Sequence, residues 1–274
     1  MKKILIGVLI CVMVIGVLAP TAMAVSYDDY RHVDTYINGE KAELARSSLL
    51  MNNTTYVPLR AMSVALGATD VSWDDGTATV TAPDLTLIVN TRSDYIIAND
   101  RCFYCPGIVK NICGNLVLPV RIFAKFFGAE VEWNSSDKSI NVITGTETIT
   151  YGDNYYNAED LYWLSRIIHA EARGQSLEGM IAVGTVIMNR VASDEYPDTI
   201  YDVIFDFEYG VQFTPAYTGS VYEEPDEQSI MAAKMVLDGA REAGEALFFA
   251  STPDCWAAYY RPYITSIGGH DFYA

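Results

Sequence analysis

Sixty-one residues separate two copies of one pattern, and any fold for this chain has to house both. Val57-Pro58-Leu59-Arg60-Ala61-Met62 is echoed by Leu118-Pro119-Val120-Arg121-Ile122-Phe123. Each copy runs on to Gly-Ala (Gly67-Ala68, Gly128-Ala129) and then to Val-x-Trp (Val71 and Trp73, Val131 and Trp133). Each closes on a short β-like stretch, Ala78–Thr81 and Ser139–Ile143. Apolar spacing at Leu59, Met62, Ala65 and Leu66 predicts a helix with one buried face, stopped by glycine at its C-terminus. Asp74-Asp75-Gly76 and Asn134-Ser135-Ser136-Asp137 then read as hairpin turns. Residues 25–150 are therefore expected to form a small α+β domain of two strand–helix–hairpin units.

The flanking sequence sets compartment and domain count. Lys2 and Lys3, the apolar run Ile4–Leu18 and Ala22-Met23-Ala24 have the form of a cleaved secretory signal peptide, residues 1–24. The run is short for a bilayer span, and no later segment is long and apolar enough to make one. About 250 residues remain, enough for two domains. The second domain, 151–274, opens on the polar, tyrosine-rich stretch Tyr151–Asn157, which reads as a linker, and a helical pattern follows it. The fold class expected is α+β: a repeated α+β module, then a mostly helical domain. Net charge is −17, and −19 once the two leader lysines are gone, so a nucleic-acid partner is excluded for want of a basic patch. Cys102, Cys105, Cys113 and Cys255 survive the leader. Export permits disulfides among them in three full pairings, a reading preferred to a zinc site because His32 is the only nearby histidine.

One helix carries the candidate chemistry. Asn157 with Asp160 suggests its start, and Leu161, Leu164, Ile168 and Glu171 follow at spacings of 3, 4 and 3. Glu171 thus shares a face with three aliphatic side chains, and Gly174 ends the helix. A carboxyl group at the end of an apolar stripe is desolvated, which raises its pKa and suits it to donate a proton near neutrality. The competing reading is a structural glutamate paired with Arg173 or Arg190.

Ile168-His169-Ala170-Glu171-Ala172-Arg173-Gly174-Gln175, with Glu178 to Val191 after it, resembles the signature of the SleB-like cell wall hydrolases, the germination cortex-lytic family. Gln212-Phe213-Thr214-Pro215, Glu245–Phe249 and Ile267–Tyr273 continue the resemblance to the end of the chain. It implies a lysozyme-like helical fold and cleavage of the MurNAc–GlcNAc bond of peptidoglycan, as a lytic transglycosylase or muramidase acting in cell wall or spore cortex. It implies Glu171 as catalyst, and Gln175, Phe213, Thr214 and His270 as substrate contacts, with no metal and no cofactor. Gln175 departs from the family, which has a second glutamate there. Residues 33–145 similarly resemble the copper amine oxidase N-terminal-like "stalk" module, without the histidines that copper chemistry needs. Arg60 and Arg121 suit a ligand, but a buried ion pair or helix N-terminal contact is the preferred reading.

With one acid in view, the expected mechanism is that of a lytic transglycosylase, in which the substrate's own C6 hydroxyl closes a 1,6-anhydro ring. Asp206 and Glu208 are the candidates for a second carboxylate. Phe213, Tyr217, Tyr259 and Tyr260 are candidate sugar platforms. The rival classes are a wall-binding protein without activity, which Gln175 keeps open, a zinc amidase and a Cys255–His270 peptidase. His169 and Glu171 lie two apart on a helix and cannot chelate together. The partner expected is the peptidoglycan strand, in a protein secreted to the wall or spore envelope. The stalk, read as a spacer or wall-adhesion module, is expected to be dispensable for bond cleavage but to contribute to retention at the wall.

Overall fold

The computed structural model describes residues 25–274 apart from Thr146 and Tyr209, so the expected leader at 1–24 lies outside the described residues. Strands β1 (Arg31–Val33), β2 (Thr35–Ile37), β3 (Glu40–Lys41), β4 (Ser48–Met51) and β5 (Thr54–Pro58) lead into helix α1 (Leu59–Ala65). Then come β6 (Asp70–Asp74), β7 (Thr77–Ala82), β8 (Leu85–Asn90), β9 (Tyr95–Ala98), β10 (Arg101–Tyr104), β11 (Lys110–Ile112) and β12 (Asn115–Pro119). Helix α2 (Val120–Phe126), β13 (Glu130–Asn134) and β14 (Ser139–Ile143) complete the first half. The second half holds α3 (Gly152–Tyr155), α4 (Ala158–Ala172), α5 (Leu177–Val191), α6 (Ile200–Ile204), α7 (Thr214–Thr218) and α8 (Glu227–Leu237). It ends with β15 (Phe248–Ala250), α9 (Trp256–Tyr260), β16 (Tyr263–Ile267) and β17 (His270–Tyr273). The class is α+β, sheet-rich first and helical second.

The repeat is visible as β5-α1-β6-β7 and β12-α2-β13-β14. Proline before each helix has no N–H to give a ladder and takes extended backbone at the N-cap, Pro58 and Pro119. The chain leaves each helix through a glycine at positive φ, Gly67 (+91°) and Gly128 (+62°). At Gly128 a side chain is also excluded by contact, since a Cβ there would meet Glu147 O at 1.7 Å. The first hairpin turns on Asp75 and Gly76, both at positive φ, as a two-residue turn requires.

β5 and β12 pair antiparallel with Val57 opposite Leu118. These are the equivalent residues of the two copies, so the repeats meet about a local twofold axis. That pair sits in the middle of a sheet ordered β1-β4-β5-β12-β11. The two hairpins then diverge. β6–β7 extends into a meander, β10-β9-β8-β7-β6, while β14 takes β2 in parallel within β13-β14-β2-β3.

The two large apolar cores of the described residues meet along β9 and β10. Because strand side chains alternate, Ile96 and Ala98 enter the first core whereas Tyr95 and Ile97 pack against the second, which also takes Cys102 and Tyr104. The segment read as a linker is built into this joint. Gly152 donates to Asn99 O at 2.7 Å, and Tyr156 Oη accepts from Cys102 N at 3.2 Å and bonds Asp238.

In the helical half, α4 is buried through six successive residues, Leu164 to His169. It is therefore a central helix, more enclosed than its single apolar stripe suggested. α5 and α8 pack closely on it: a Cβ on Gly184 would lie 2.8 Å from Val236 Cγ2 and 2.9 Å from Ile168 Cδ1. The three strands β15-β17-β16 close one end.

Candidate active site

Asn157 starts the helix that delivers Glu171, its Oδ1 accepting from the N–H groups of Glu159 (2.8 Å) and Asp160 (3.2 Å). Leu164 and Ile168 are fully buried below Glu171. Arg173 leaves helical backbone and Gly174 takes φ +81°, so the chain turns away one residue beyond the helix end. Glu171 is thereby left at the wall of a hollow of about 350 Å³ between α5, α7, β15 and α9.

Among the described residues Glu171 is the only carboxylate lining this hollow. Neither arginine considered as its partner binds it. Arg173 reaches Glu223 at 3.4 Å. Arg190 donates to Leu247 O at 2.8 Å and to Gln212 Oε1 at 3.4 Å, with its guanidinium over the rings of Phe213 (5.0 Å), Tyr196 (5.0 Å) and Phe248 (5.4 Å). Burial alone acts on Glu171, pushing its pKa from 4.5 up to about 7.

His270, the first residue of β17, lines the same hollow. It is buried, stands edge-on to Phe249 with centroids 5.3 Å apart, and its Nδ1 has no hydrogen-bond partner. Burial lowers its pKa, so the ring is neutral at pH 7. An unpartnered buried nitrogen costs stability.

Gln175, expected among the substrate contacts, does not line the hollow. Its Oε1 accepts from Gly269 N at 2.9 Å, and it lies flat on the turn between β16 and β17. A Cβ at Gly268 would stand 2.6 Å from Oε1, and one at Gly269 2.8 Å from Nε2, so the amide fits only against bare backbone. It holds the turn that carries His270.

Phe213 and Thr214 both line the hollow, at the start of α7. Phe213 is 2% exposed and packs on Phe249, which makes it floor and not platform. The exposed aromatic at the wall is Trp256, 55% exposed, with Tyr260 against it at 5.6 Å. Sequence reasoning passed over Trp256, and it passed over Arg190 and Gln212 as lining residues. The turn-rich Ser251–Asp254 ahead of Trp256 was the available signal for the first. Nothing in the spacing marks the other two.

The remaining candidates lie elsewhere. Tyr217 and Tyr259 are exposed outside the hollow. Asp206 accepts from Glu208 N at 2.9 Å, and neither acid lines the hollow. His169 turns to α8, where its Nδ1 meets Asp226 N (3.3 Å) and Ser229 Oγ (3.4 Å). The four cysteines are free thiols, contrary to the disulfides expected. Cys102 belongs to the second core and Cys105 to the first, Cys113 sits on a hairpin turn, and Cys255 lines the hollow while its Sγ caps α9 by accepting from Ala258 N. Arg60 and Arg121, read as a buried ion pair or a helix N-terminal contact, are exposed in the first turns of α1 and α2 and make no ion pair among the described residues.

Comparison with known proteins places both halves. The family described as Cell Wall Hydrolase matches residues 174–273, beginning three residues after Glu171. The family described as Copper amine oxidase N-terminal domain matches residues 36–150. The spore cortex-lytic enzyme of Oceanobacillus iheyensis is 32% identical over 119 residues, 43% of this chain and 42% of that one. That of Bacillus subtilis is 32% identical over 122 residues, 43% of this chain and 38% of that one. The chain thus spans about two-fifths of the length of the curated relatives it matches. Among solved structures, the catalytic domain of the germination-specific lytic transglycosylase SleB from Bacillus anthracis aligns with 46% of this chain and 100% of its own, at 30% identity and a TM-score of 0.40. The helical half of the chain thus carries a match to the cell wall hydrolase family, and the sheet-rich half a match to the copper amine oxidase N-terminal domain family.

Proposed function

We propose that the helical half cuts peptidoglycan glycan strands between MurNAc and GlcNAc as a lytic transglycosylase, in a protein exported to the wall or spore cortex. The observation that carries this reading is the isolation of Glu171: one carboxyl group, its pKa raised by burial to about 7 so that the acid form persists near neutrality, alone in its hollow among the described residues. Most glycosidases set two carboxylates about 5–9.5 Å apart across the bond. A transglycosylase needs one. Glu171 gives its proton to the bridging oxygen as the C1–O bond breaks. The resulting carboxylate takes the proton of the muramic acid C6 hydroxyl, and that oxygen bonds C1 to close the 1,6-anhydro ring. The acid is restored, no water is consumed, and no metal or cofactor enters the scheme.

The other lining groups suit the sugar. Trp256 offers an open indole face, Thr214 an exposed side chain, and Phe213 the apolar floor, with the His270 ring in the wall. The wall-binding alternative drew its force from Gln175, and Gln175 stands outside the hollow. The names of the matched relatives, spore cortex-lytic enzymes, support the same substrate class. Mass spectrometry of muropeptides released from purified cortex and vegetative sacculi tests the proposal. Anhydro ends, lighter by one water, are expected. Reducing ends would replace the one-acid scheme with a muramidase, and intact strands would remove the enzyme reading.

A further inference from the structure

We propose that each repeat of the first half builds a groove for the peptidoglycan strand, so that this module carries two glycan-binding sites distinct from the hollow at Glu171. The inference rests on the wall reading above for its ligand, but on separate residues. The first groove, about 580 Å³, lies between α1 and β6; the second, about 250 Å³, lies between α2 and β13.

Their construction is the same. Val71 and Trp73 share one face of β6, as Val131 and Trp133 share one face of β13. The valines pack on the core, yet Trp73 is 51% exposed and Trp133 41% exposed. Across each hairpin Trp73 faces Ala78 and Trp133 faces Ile140. Because β5 and β12 pair about the local twofold, the turn of each repeat rims the groove of the other. Asn111 and Asn115 border the first groove, Asn53 and Thr54 the second.

These features point to an amphipathic, anionic ligand. An indole left half in water at the same position of both copies forgoes burial that each core is close enough to give. Arg60 and Arg121 line the two grooves at equivalent positions, both exposed and without a carboxylate partner among the described residues. Arg46 joins Arg60 in the first groove, and among the described residues Glu43 is the only acid lining either. In a chain of 35 acidic and 18 basic residues, this is a local reversal of charge. An amino-sugar ring has an apolar face to lie on indole, and its acetamido and hydroxyl groups suit Asn and Thr. The carboxylates of the attached lactyl peptides suit guanidinium. Asn111 accepts from Gly114 N at 2.9 Å through its carbonyl, which leaves its amide N–H groups free. A polymer spanning both sites gains by effective concentration, so two modest grooves retain the protein on the wall.

The test uses the full chain carrying Glu171→Gln, to keep strands intact, in cosedimentation with sacculi stripped of secondary anionic polymers. Trp73→Ala and Trp133→Ala are each expected to weaken retention about tenfold, and the pair about a hundredfold. Trp73→Phe with Trp133→Phe should keep most of it, and Arg60→Gln with Arg121→Gln should flatten its salt dependence. With Glu171 restored, the double alanine variant should cut short soluble glycans at the unaltered rate, which separates this proposal from the catalytic one. Unchanged sedimentation of a folded double variant overturns the grooves. So does binding that appears only on unstripped sacculi, or a loss confined to self-association of the chain.

Discussion

Glu171 is held where its anion is least favoured, and the consequence has a sign. Its folded pKa of about 7 stands above the ordinary 4.5, so folding favours the protonated form. The penalty for ionising it is absent below about pH 4.5 and complete above about pH 7, where it reaches at most about 3 kcal/mol. Glu171→Gln is therefore expected to raise the melting temperature at pH 8 while leaving it nearly unchanged at pH 4. The same substitution removes the transferable proton and should lower cleavage by about 10²–10⁴-fold or more. Thermal melts at the two pH values, beside a muropeptide assay, check both. A melt lowered at pH 8 would mean that Glu171 has a structural partner. The wild-type rate should fall as pH rises through about 7, as expected of a general acid. Gln175 gives a second prediction at this scale. Gln175→Ala frees the Gly268-Gly269 turn, and cleavage should drop about tenfold as His270 loses its placement. Gln175→Glu keeps the acceptor and should restore it. NMR of the His270 ring distinguishes positioning from general destabilisation: its resonances should move in the alanine variant only, with little change in melting temperature.

The elements show how far a linear pattern reaches. The position of Glu171 was legible because a 3-4-3 stripe and a glycine stop place a carboxyl at the end of an apolar face, and local spacing suffices for that. Its choice as catalyst over a paired structural glutamate came from the family resemblance. The doubled helix and hairpin were legible for a similar reason, since proline, glycine and Asp-Gly act on their own neighbours. Pairings between distant segments were not. Nothing in Thr35–Ile37 announces a parallel partner in β14, and nothing in Gln175 announces Gly269, 94 residues away. Tyr151–Asn157 looked like a linker because its polar tyrosines have no period, yet Tyr156 is committed to the joint through its hydroxyl. Gly184 belongs to the same class. In the sequence it is a poor helix former, whereas in the fold it is the point where α5 meets Ile168 of α4 and Val236 of α8. An alanine there recovers about 1 kcal/mol of helix propensity and spends it on two methyl contacts, so its net effect is small. Gly184→Leu has no such offset and should cost about 3 kcal/mol through overpacking. Chemical denaturation reads this directly, and a leucine variant as stable as the parent would mean that α8 moves freely.

At the scale of the whole molecule, the two halves are joined by more than a peptide. Arg101 of β10 forms a buried ion pair with Asp238, just past α8, whose side chain is 1% exposed. Tyr156 bonds the same carboxylate, Tyr155 lies 3.3 Å under the guanidinium, and Lys234 donates to Asp100 O at 3.1 Å. Tyr95, Ile97, Cys102 and Tyr104 meanwhile complete the core beneath α8. This packing speaks against the expectation that the stalk can be removed without consequence for cleavage. Residues 151–274 alone would expose that apolar face and leave Asp238 without its arginine. They should melt well below the intact chain, and their activity should decline with loss of fold and not with loss of the hollow. A fragment that melts with the intact chain would show the joint to be incidental. Point variants separate its parts. Asp238→Ala strands Arg101 in a buried site and should cost about 3–5 kcal/mol. Arg101→Met with Asp238→Leu removes both charges and keeps the volume, so it should cost far less than the single change. The coupling from that double-mutant cycle measures the ion pair itself, and what remains of the fragment's deficit belongs to the apolar face.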